Sequence, residues 1–571
     1  MKITVLNGNS ELNIKSFQEQ NLLAVLQDNN IFVSNLCNGN GTCGKCKIKV
    51  ISGNLPITET DRRILSEEEL ERGIRLACKI KIDKEFGYNS DDEIVLEVLE
   101  NMEDDIVVEN VPFLKSNEET EGVEEGNENR DAVGKNYFIA IDIGTTTIAM
   151  ALVDYTTGKV CDTYASVNHQ RKFGADVISR IVAANEGKSR ELKQIIEEDL
   201  WSGIYYFMDK IGGFKVDKLE SIEKDATEGS KQEVINNLVS GIVVAGNTTM
   251  IHLLMGYSCE HLGKYPFISD YLEEAEHKLR DCIGIGQQKC ANWMYDIPVL
   301  LMPGISAFVG GDIVAGLCAC PGFQGKELSL FLDLGTNGEM VLGNKDRMLA
   351  TSVAAGPAFE GGNISCGTAS IPGSISRAKI YNKKSIIGTI DKKMPPIGIC
   401  GSGLISVVAQ LLQGKIIDFH GNLLHLFRKE GFPLWTFSDG HKLVLSQEDI
   451  RQFQMAKSAV RSGIEILMQE YGCQTEDVRE VYLAGGFGTN LLEEDVITSG
   501  ILPQEWRGNI RFLGNTALQG AVKVGNDKFR NTGNKHIRDA KQADILKKVS
   551  SITLADKKEF QEIYMNNLDF L

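Results

Sequence analysis

Three cysteines, Cys37, Cys43 and Cys46, share the stretch CNGNGTCGKC, and a fourth, Cys78, follows in RLACKIKI. The spacing C-x5-C-x2-C crowds three thiols into one loop and leaves the last alone. Zinc ribbons are built from paired C-x2-C knuckles. Four thiolates can equally hold an iron–sulfur cluster, and a loop of free thiols is the third reading. Order, spacing and the helical segment ahead of the loop favour the cluster. Gly39, Gly41 and Gly44 let the backbone curl around it and aim N–H groups at sulfur. A second set of residues has different chemistry. Asp142 in DIGTTT and Asp333 in DLGTNGE are hard oxygen ligands of the kind that face Mg²⁺ from two sides. Each precedes a glycine turn with donor side chains, Gly144, Thr145, Thr146 and Thr147 in one case, Gly335, Thr336, Asn337 and Gly338 in the other. Those hydroxyls, amides and turn N–H groups suit phosphate oxygens. Glu339 is either a base that polarises an attacking water or a solvent-facing strand residue. In VYLAGGFGTN an apolar strand runs into Gly485, Gly486, Phe487 and Gly488, where the backbone can lie against a base or ribose.

The elements that must position these groups follow from periodicity. ITVL (3–6) and LNIKS (12–16) read as a hairpin, NLLAVLQDNN (21–30) as a helix and KCKIKVISG (45–53) as a strand, so 1–98 is expected to be a small β-rich domain. A linker, 99–135, comes next. From Glu103 to Asp131 the chain has eleven acidic and two basic residues, half of the protein's net charge of −18. Such a segment has little to bury and is expected to act as a solvated tether. Beyond it KNYFIAIDIGTTTIAMALVD (135–154) and ELSLFLDLGTNGEMVLGN (327–344) superpose without a gap, placing Asp142 on Asp333, Gly144 on Gly335 and Thr145 on Thr336. This repeat implies a duplicated α/β fold with a cleft between halves, a middle domain at 136–322 and a C-terminal domain at 323–571. RFLGNTALQGA (511–521) adds a strand and a helix of small residues. No other repeat stands out.

Composition narrows the function classes. The 571 residues are 42% hydrophobic and 24% charged, as in multidomain globular proteins. The acidic balance argues against nucleic acid and against an anionic membrane surface as partners. The N-terminus lacks the apolar core of a signal peptide. IPVLLMPGISAFVGGDIVAGLCAC (297–320) is interrupted by Pro303 and Asp312, so it reads as buried strand, loop and helix rather than a membrane span. A cytoplasmic location is expected, with the 13 cysteines reduced or metal-bound.

Taken together, the motifs resemble two known families joined in one chain. The thiol spacing is similar to 2Fe–2S β-grasp ferredoxins, with the five-residue first gap of the vertebrate and bacterial redox-partner type rather than the four of the plant type. The two Asp-Gly turns and the GGFG loop resemble the acetate kinase/sugar kinase/Hsp70/actin superfamily. Their fusion resembles the reductive activators of corrinoid proteins, and NHQRKFGADVISRI, VAGNTTMIHLL, PGISAFVGGDIVAG, AAGPAFEGGNISCGT and GICGSGLIS add to the likeness. The resemblance implies ATP-dependent return of cob(II)alamin to cob(I)alamin in a methyl-transfer system. It implies a 2Fe–2S cluster on Cys37, Cys43, Cys46 and Cys78, with ATP and Mg²⁺ in the cleft. The implied partners are a corrinoid protein and a low-potential electron donor, and the implied assembly is a homodimer. An activator of a 2-hydroxyacyl-CoA dehydratase, with Cys366 and Cys400 as its 4Fe–4S ligands, is the alternative, and a non-enzymatic redox sensor the third. Asp176 and Asp312 each open a helical pattern and are expected to be N-caps or to stand near the metal. Ser402 is open between cap, phosphate ligand and a hydroxyl offered to a partner.

Overall fold

The structure, a computed structural model, describes residues 2–7, 10–14, 20–28, 33, 46–53, 55–82, 93–98, 137–174, 176–212, 239–284, 296–390, 394–438, 440–486, 491–530 and 540–570. Cys37, Cys43, Phe487, Gly488 and the acidic linker lie outside the described residues. The chain forms two compact units. One comprises Met1–Asp105 with His169–Lys188, the other Ile106–Asn168 with Ser189–Leu571. The segment His169–Lys188, which the sequence puts in the middle domain, thus groups with the N-terminal unit.

The first unit is built on a five-stranded sheet ordered Ser10–Ile14, Lys2–Asn7, Glu93–Val98, Lys47–Ser52, Ile74–Leu76. The expected N-terminal hairpin is present, with Ile3 opposite Ile14. The first strand runs parallel to the last, Ile3 beside Ile94, the mark of a β-grasp. Helix Leu22–Asp28 closes one face, its Leu22, Val25 and Leu26 buried with Ile48, Leu76 and Leu96.

The second unit contains two six-stranded sheets that share the order of five strands and carry the sixth on opposite edges. The first runs Lys159–Val167, Thr147–Asp154, Tyr137–Ile143, Val239–Gly246, Pro298–Leu301, Ala275–Lys278. The second runs Val549–Ser551, Met348–Val353, Gly338–Gly343, Leu328–Leu334, Val478–Ala484, Ile510–Gly514. In each, an antiparallel meander of three strands is extended by two parallel strands. Parallel strands need covering on both faces, and the central ones are buried along nearly their whole length. The duplication expected from sequence is therefore present in topology.

The two hairpins do not superpose residue for residue. Ile143 pairs with Ile148 but Leu334 pairs with Gly338, so the first turn holds four residues and the second three. The turn bonds differ accordingly, Gly144 N–H to Thr147 O at 3.0 Å and Gly335 N–H to Asn337 O at 2.8 Å. This corrects the ungapped alignment beyond the turn. Asp142 stands opposite Ala149, whereas Asp333 stands opposite Glu339, so only the second half carries an acid there.

The halves are joined through two helices, Gly311–Ala319 and Thr516–Arg530. They approach so closely at Gly520 that a Cβ there would lie 1.9 Å from Ala315 O. Although it follows the last parallel strand of the second sheet, Thr516–Arg530 packs on the first. Phe529 meets Phe138 with ring centroids 5.4 Å apart, and Asn526 Nδ2 donates to Gly158 O at 3.2 Å. One apolar core accordingly contains residues of both halves, among them Phe138, Val243, Phe331, Leu518 and Val522.

Candidate functional site

In the N-terminal unit the strand pair Lys47–Ser52 and Ile74–Leu76 sets Cys46 and Cys78 side by side. Lys47 pairs with Leu76, and Ala77 N–H donates to Cys46 O at 2.8 Å. Cys78 sits in the single turn Ala77–Lys79. Both cysteines are buried, at 1% and 4% exposure, and belong to the core of this unit. The turn is pinned by a residue that the sequence did not flag. Asp61, fully buried, accepts from Thr58 N–H at 2.8 Å, Thr58 Oγ1 at 2.8 Å and Leu76 N–H at 2.8 Å. Its capping box thereby fixes the strand that leads into Cys78.

In the second unit, Asp142 and Asp333 occupy the same place on the central strand of each sheet, one residue before its end. Asp312, in the first turn of helix Gly311–Ala319, and Glu339 join them. All four residues are half-buried. Burial raises the Asp142 carboxyl to about 7, against the Nδ2 of Asn515 that donates to it at 2.8 Å. Burial and the neighbouring Asp312, Asp142 and Glu360 raise Asp333 to about 8. Burial lifts Asp312 to about 6 despite a bond from Ile313 N–H at 2.8 Å. Glu339 is raised well above its ordinary value by burial, then Asp312 and Asp333, while the Asn337 side chain works the other way. Glu339 is thus part of this acidic field rather than a solvent-facing strand residue. Acids whose carboxyls are pushed up first by burial and then by one another suit an added cation, which would draw each back towards its ordinary range. Among the described residues no three His, Cys, Asp or Glu side chains form a ready-made metal cage. Mg²⁺ usually keeps several of its waters when carboxylates bind it.

Two of the loop hydroxyls already donate within the protein. Thr146 Oγ1 donates to Glu360 Oε2 at 3.0 Å and Thr336 Oγ1 donates to the same oxygen at 2.7 Å. Thr145 Oγ1 accepts from Asn247 Nδ2 at 3.1 Å. Asn247 also caps helix Thr248–Met255, and Asn515 accepts from Leu518 N–H at 2.8 Å at the start of Thr516–Arg530. The triplet Gly-Asn-Thr occurs twice, at 246–248 and 514–516, each time with an Asn that caps a helix and reaches a loop or its Asp. This is a repeat that the sequence reading missed; the cap signature was the available clue. Gly485 has φ +115°, and a Cβ there would lie 2.4 Å from Leu334 O and 3.2 Å from Asp333 Oδ1. Among the described residues nothing lies within 4 Å of such an atom at Gly486.

The structure places three residues that the sequence leaves open. Asp176 is an N-cap, accepting from Ser179 N–H at 2.8 Å. Asp312 is not, since Gly310 holds the cap position and Asp312 instead belongs to the acidic group. Ser402 is neither cap nor surface hydroxyl. It is 2% exposed inside helix Gly401–Gln413, its Oγ 3.3 Å from Cys400 Sγ. Cys400 is itself fully enclosed, donating to Ile375 O at 3.3 Å, unlike a thiol that could share a cluster between subunits.

The fold and site define a chain in which a 2Fe–2S domain is joined to a duplicated ASKHA-type nucleotide fold. Family models match it in that order: the 2Fe-2S iron-sulfur cluster binding domain over residues 6–83, the RACo middle region over 137–213 and 199–322, and the C-terminal domain of RACo, the ASKHA domain, over 327–571. The chain is 29% identical over 491 residues to the corrinoid activation enzyme RamQ of Eubacterium limosum, covering 81% of this chain and 76% of that one. It is 24% identical over 457 residues to a Co(II) methylated amine-specific corrinoid protein reductase of Methanosarcina barkeri, covering 76% and 77%. A solved reductive activator for corrinoid, iron-sulfur protein matches with a TM-score of 0.65 at 25% identity, over 100% of this chain and 98% of that one. The chain belongs to the RACo family. Among the described residues no helix is long and apolar enough to cross a membrane.

Proposed function

We propose that this protein reductively activates a corrinoid protein, returning cob(II)alamin to cob(I)alamin by one electron at the expense of ATP. The observation that carries the reading is the convergence of Asp142 and Asp333, from two separate sheets, into one acidic field beside two donor-bearing turns, in a chain whose other unit sets two buried cysteines side by side. The cluster would supply single electrons at low potential, received from an external donor. Cys46 and Cys78 would be two of its thiolate ligands, with Cys37 and Cys43 as the others. Magnesium-bound ATP would supply the driving force. Asp142, Asp333 and Asp312 would orient the metal's waters, and the turn N–H groups would face the phosphates. Glu339, its carboxyl shifted up by burial and neighbouring acids, would take a proton from water only once a cation restores its ionised form.

The test mixes the purified full chain, Mg²⁺-ATP, a chemical reductant and a corrinoid protein in the Co(II) state. Growth of the cob(I)alamin absorbance only when ATP and the protein are both present supports the reading. Equal growth without ATP overturns it. A 4Fe–4S cluster shared by two chains also gives two iron and two sulfide per chain, so the spectrum decides: a 2Fe–2S signature that survives in Cys400→Ser sets the reading apart from the dehydratase-activator alternative, and a 4Fe–4S signature lost in that variant supports the alternative.

A further inference from the structure

Glu360 has no part in the phosphate chemistry set out above, yet its carboxylate touches both turns. A single oxygen, Oε2, accepts from Thr146 Oγ1 at 3.0 Å and from Thr336 Oγ1 at 2.7 Å. The other oxygen lies over the second turn, 3.1 Å from where a Cβ on Gly335 would be. A threonine hydroxyl has one hydrogen. While that hydrogen is given to Glu360 it cannot be given to a phosphate. The carboxylate is also held in place from behind. Glu360 ends the turn Pro357–Glu360 between Gly356 at φ +77° and Gly361 at φ +79°. A Cβ at 361 would fall 2.4 Å from Thr368 O, so the backbone there is closely backed.

A carboxylate and a phosphate ask the same of a loop, an O–H or N–H aimed at an anionic oxygen. Thr146 and Thr336 belong to different halves of the fold, so an anion bound to both ties the halves at the turns. We propose that Glu360 is an internal anion that clasps the two loops together in the empty cleft and must release both threonine hydroxyls before they can donate to a nucleotide's phosphates. The inference rests on the nucleotide reading of the cleft. Its consequence is that part of the interaction energy available to the phosphates is spent on displacing Glu360. Removing the carboxylate therefore tightens nucleotide binding, the opposite of what removing a nucleotide ligand does.

Isothermal titration of the full chain with Mg²⁺ and AMPPNP measures this, using wild type, Glu360→Ala and Glu360→Gln. The expected result is roughly tenfold tighter binding by Glu360→Ala, equivalent to about 1.4 kcal/mol, with Glu360→Gln between. Amide hydrogen exchange without nucleotide should at the same time speed up at 144–147 and 335–337 in Glu360→Ala. The isosteric Glu360→Gln keeps the test open if the alanine variant fails to fold. Unchanged or weaker binding by both variants overturns the clasp and leaves the nucleotide site standing. A wild-type protein that binds no AMPPNP overturns the nucleotide reading itself, and the clasp with it.

Discussion

Replacing Asp333 by Asn tests whether the acids of the cleft act as one field. The change keeps shape and removes charge. In the wild-type protein without divalent cations, the Asp333 carboxyl is lifted from 3.8 to about 8. Its folded value exceeds its unfolded one, so the native state binds more protons, and stability is lost as pH rises from below 4 towards 8. At 1.36 kcal/mol per unit the upper bound at pH 8 is about 5 kcal/mol. Water at the half-buried carboxylate screens this to about 1–3 kcal/mol. Asn pays none of it, so Asp333→Asn should be more stable than wild type at pH 8 in EDTA, and the gap should shrink towards pH 5. Urea unfolding followed by tryptophan fluorescence reads the relevant unit, because Trp201, Trp435 and Trp506 lie in the second unit and no tryptophan occurs in 1–105 or 169–188. Saturating Mg²⁺ should stabilise wild type more at pH 8 than at pH 6, since the cation displaces protons, and should stabilise the variant far less. A variant that is less stable than wild type at pH 8, with the same slope against pH, would refute the reasoning.

Gly520→Ala should destabilise the second unit by about 3 kcal/mol or more in the same urea assay, because its Cβ would sit 1.9 Å from Ala315 O; a loss below 1 kcal/mol would mean that the two helices part easily. Asp61→Ala strands the Thr58 and Leu76 N–H groups and should cost the first unit about 2–4 kcal/mol. The visible 2Fe–2S spectrum of this variant should bleach faster while tryptophan-reported stability stays unchanged. Cys46→Ser and Cys78→Ser should each lose or strongly alter that spectrum and leave AMPPNP affinity within about twofold; an unaltered spectrum in either would remove that cysteine from the ligand set.

What could be read in the sequence, and what could not, divides along the range of the interactions. Asp142 and Asp333 were legible because an apolar run ending in Asp-Gly marks a buried strand that stops at a turn. Cys78 was legible as a type and spacing; that it lies beside Cys46 depends on the pairing of Lys47 with Leu76, which no local signal encodes. Glu360 was invisible, since its two partners are 24 and 214 positions away. The one-residue difference between the turns was hidden for another reason. A slip of one residue normally shows as apolar side chains moved to the wet face, but Thr147–Asp154 is buried on both faces between its ends, so it has no wet face to betray the register. Of the two readings of Asp312, cap or neighbour of the metal, the cap fails: the rule rewards an acid near a helix start, while here Gly310, whose Cβ would lie 2.6 Å from Asn247 Cα, holds the cap position.

The placement of Thr516–Arg530 has a consequence for synthesis. The ribosome makes the first sheet early, up to Pro298–Leu301, but the helix that covers Phe138 and Val243 comes from near the end of the chain. Roughly 270 residues separate Val239–Gly246 from that helix, and at 5–20 residues per second the nascent protein waits about 15–50 s with an apolar face uncovered. During that interval the first half lacks one wall of its core. For the same reason a cut at the boundary between 322 and 327 frees two fragments, each lacking a wall of its own core.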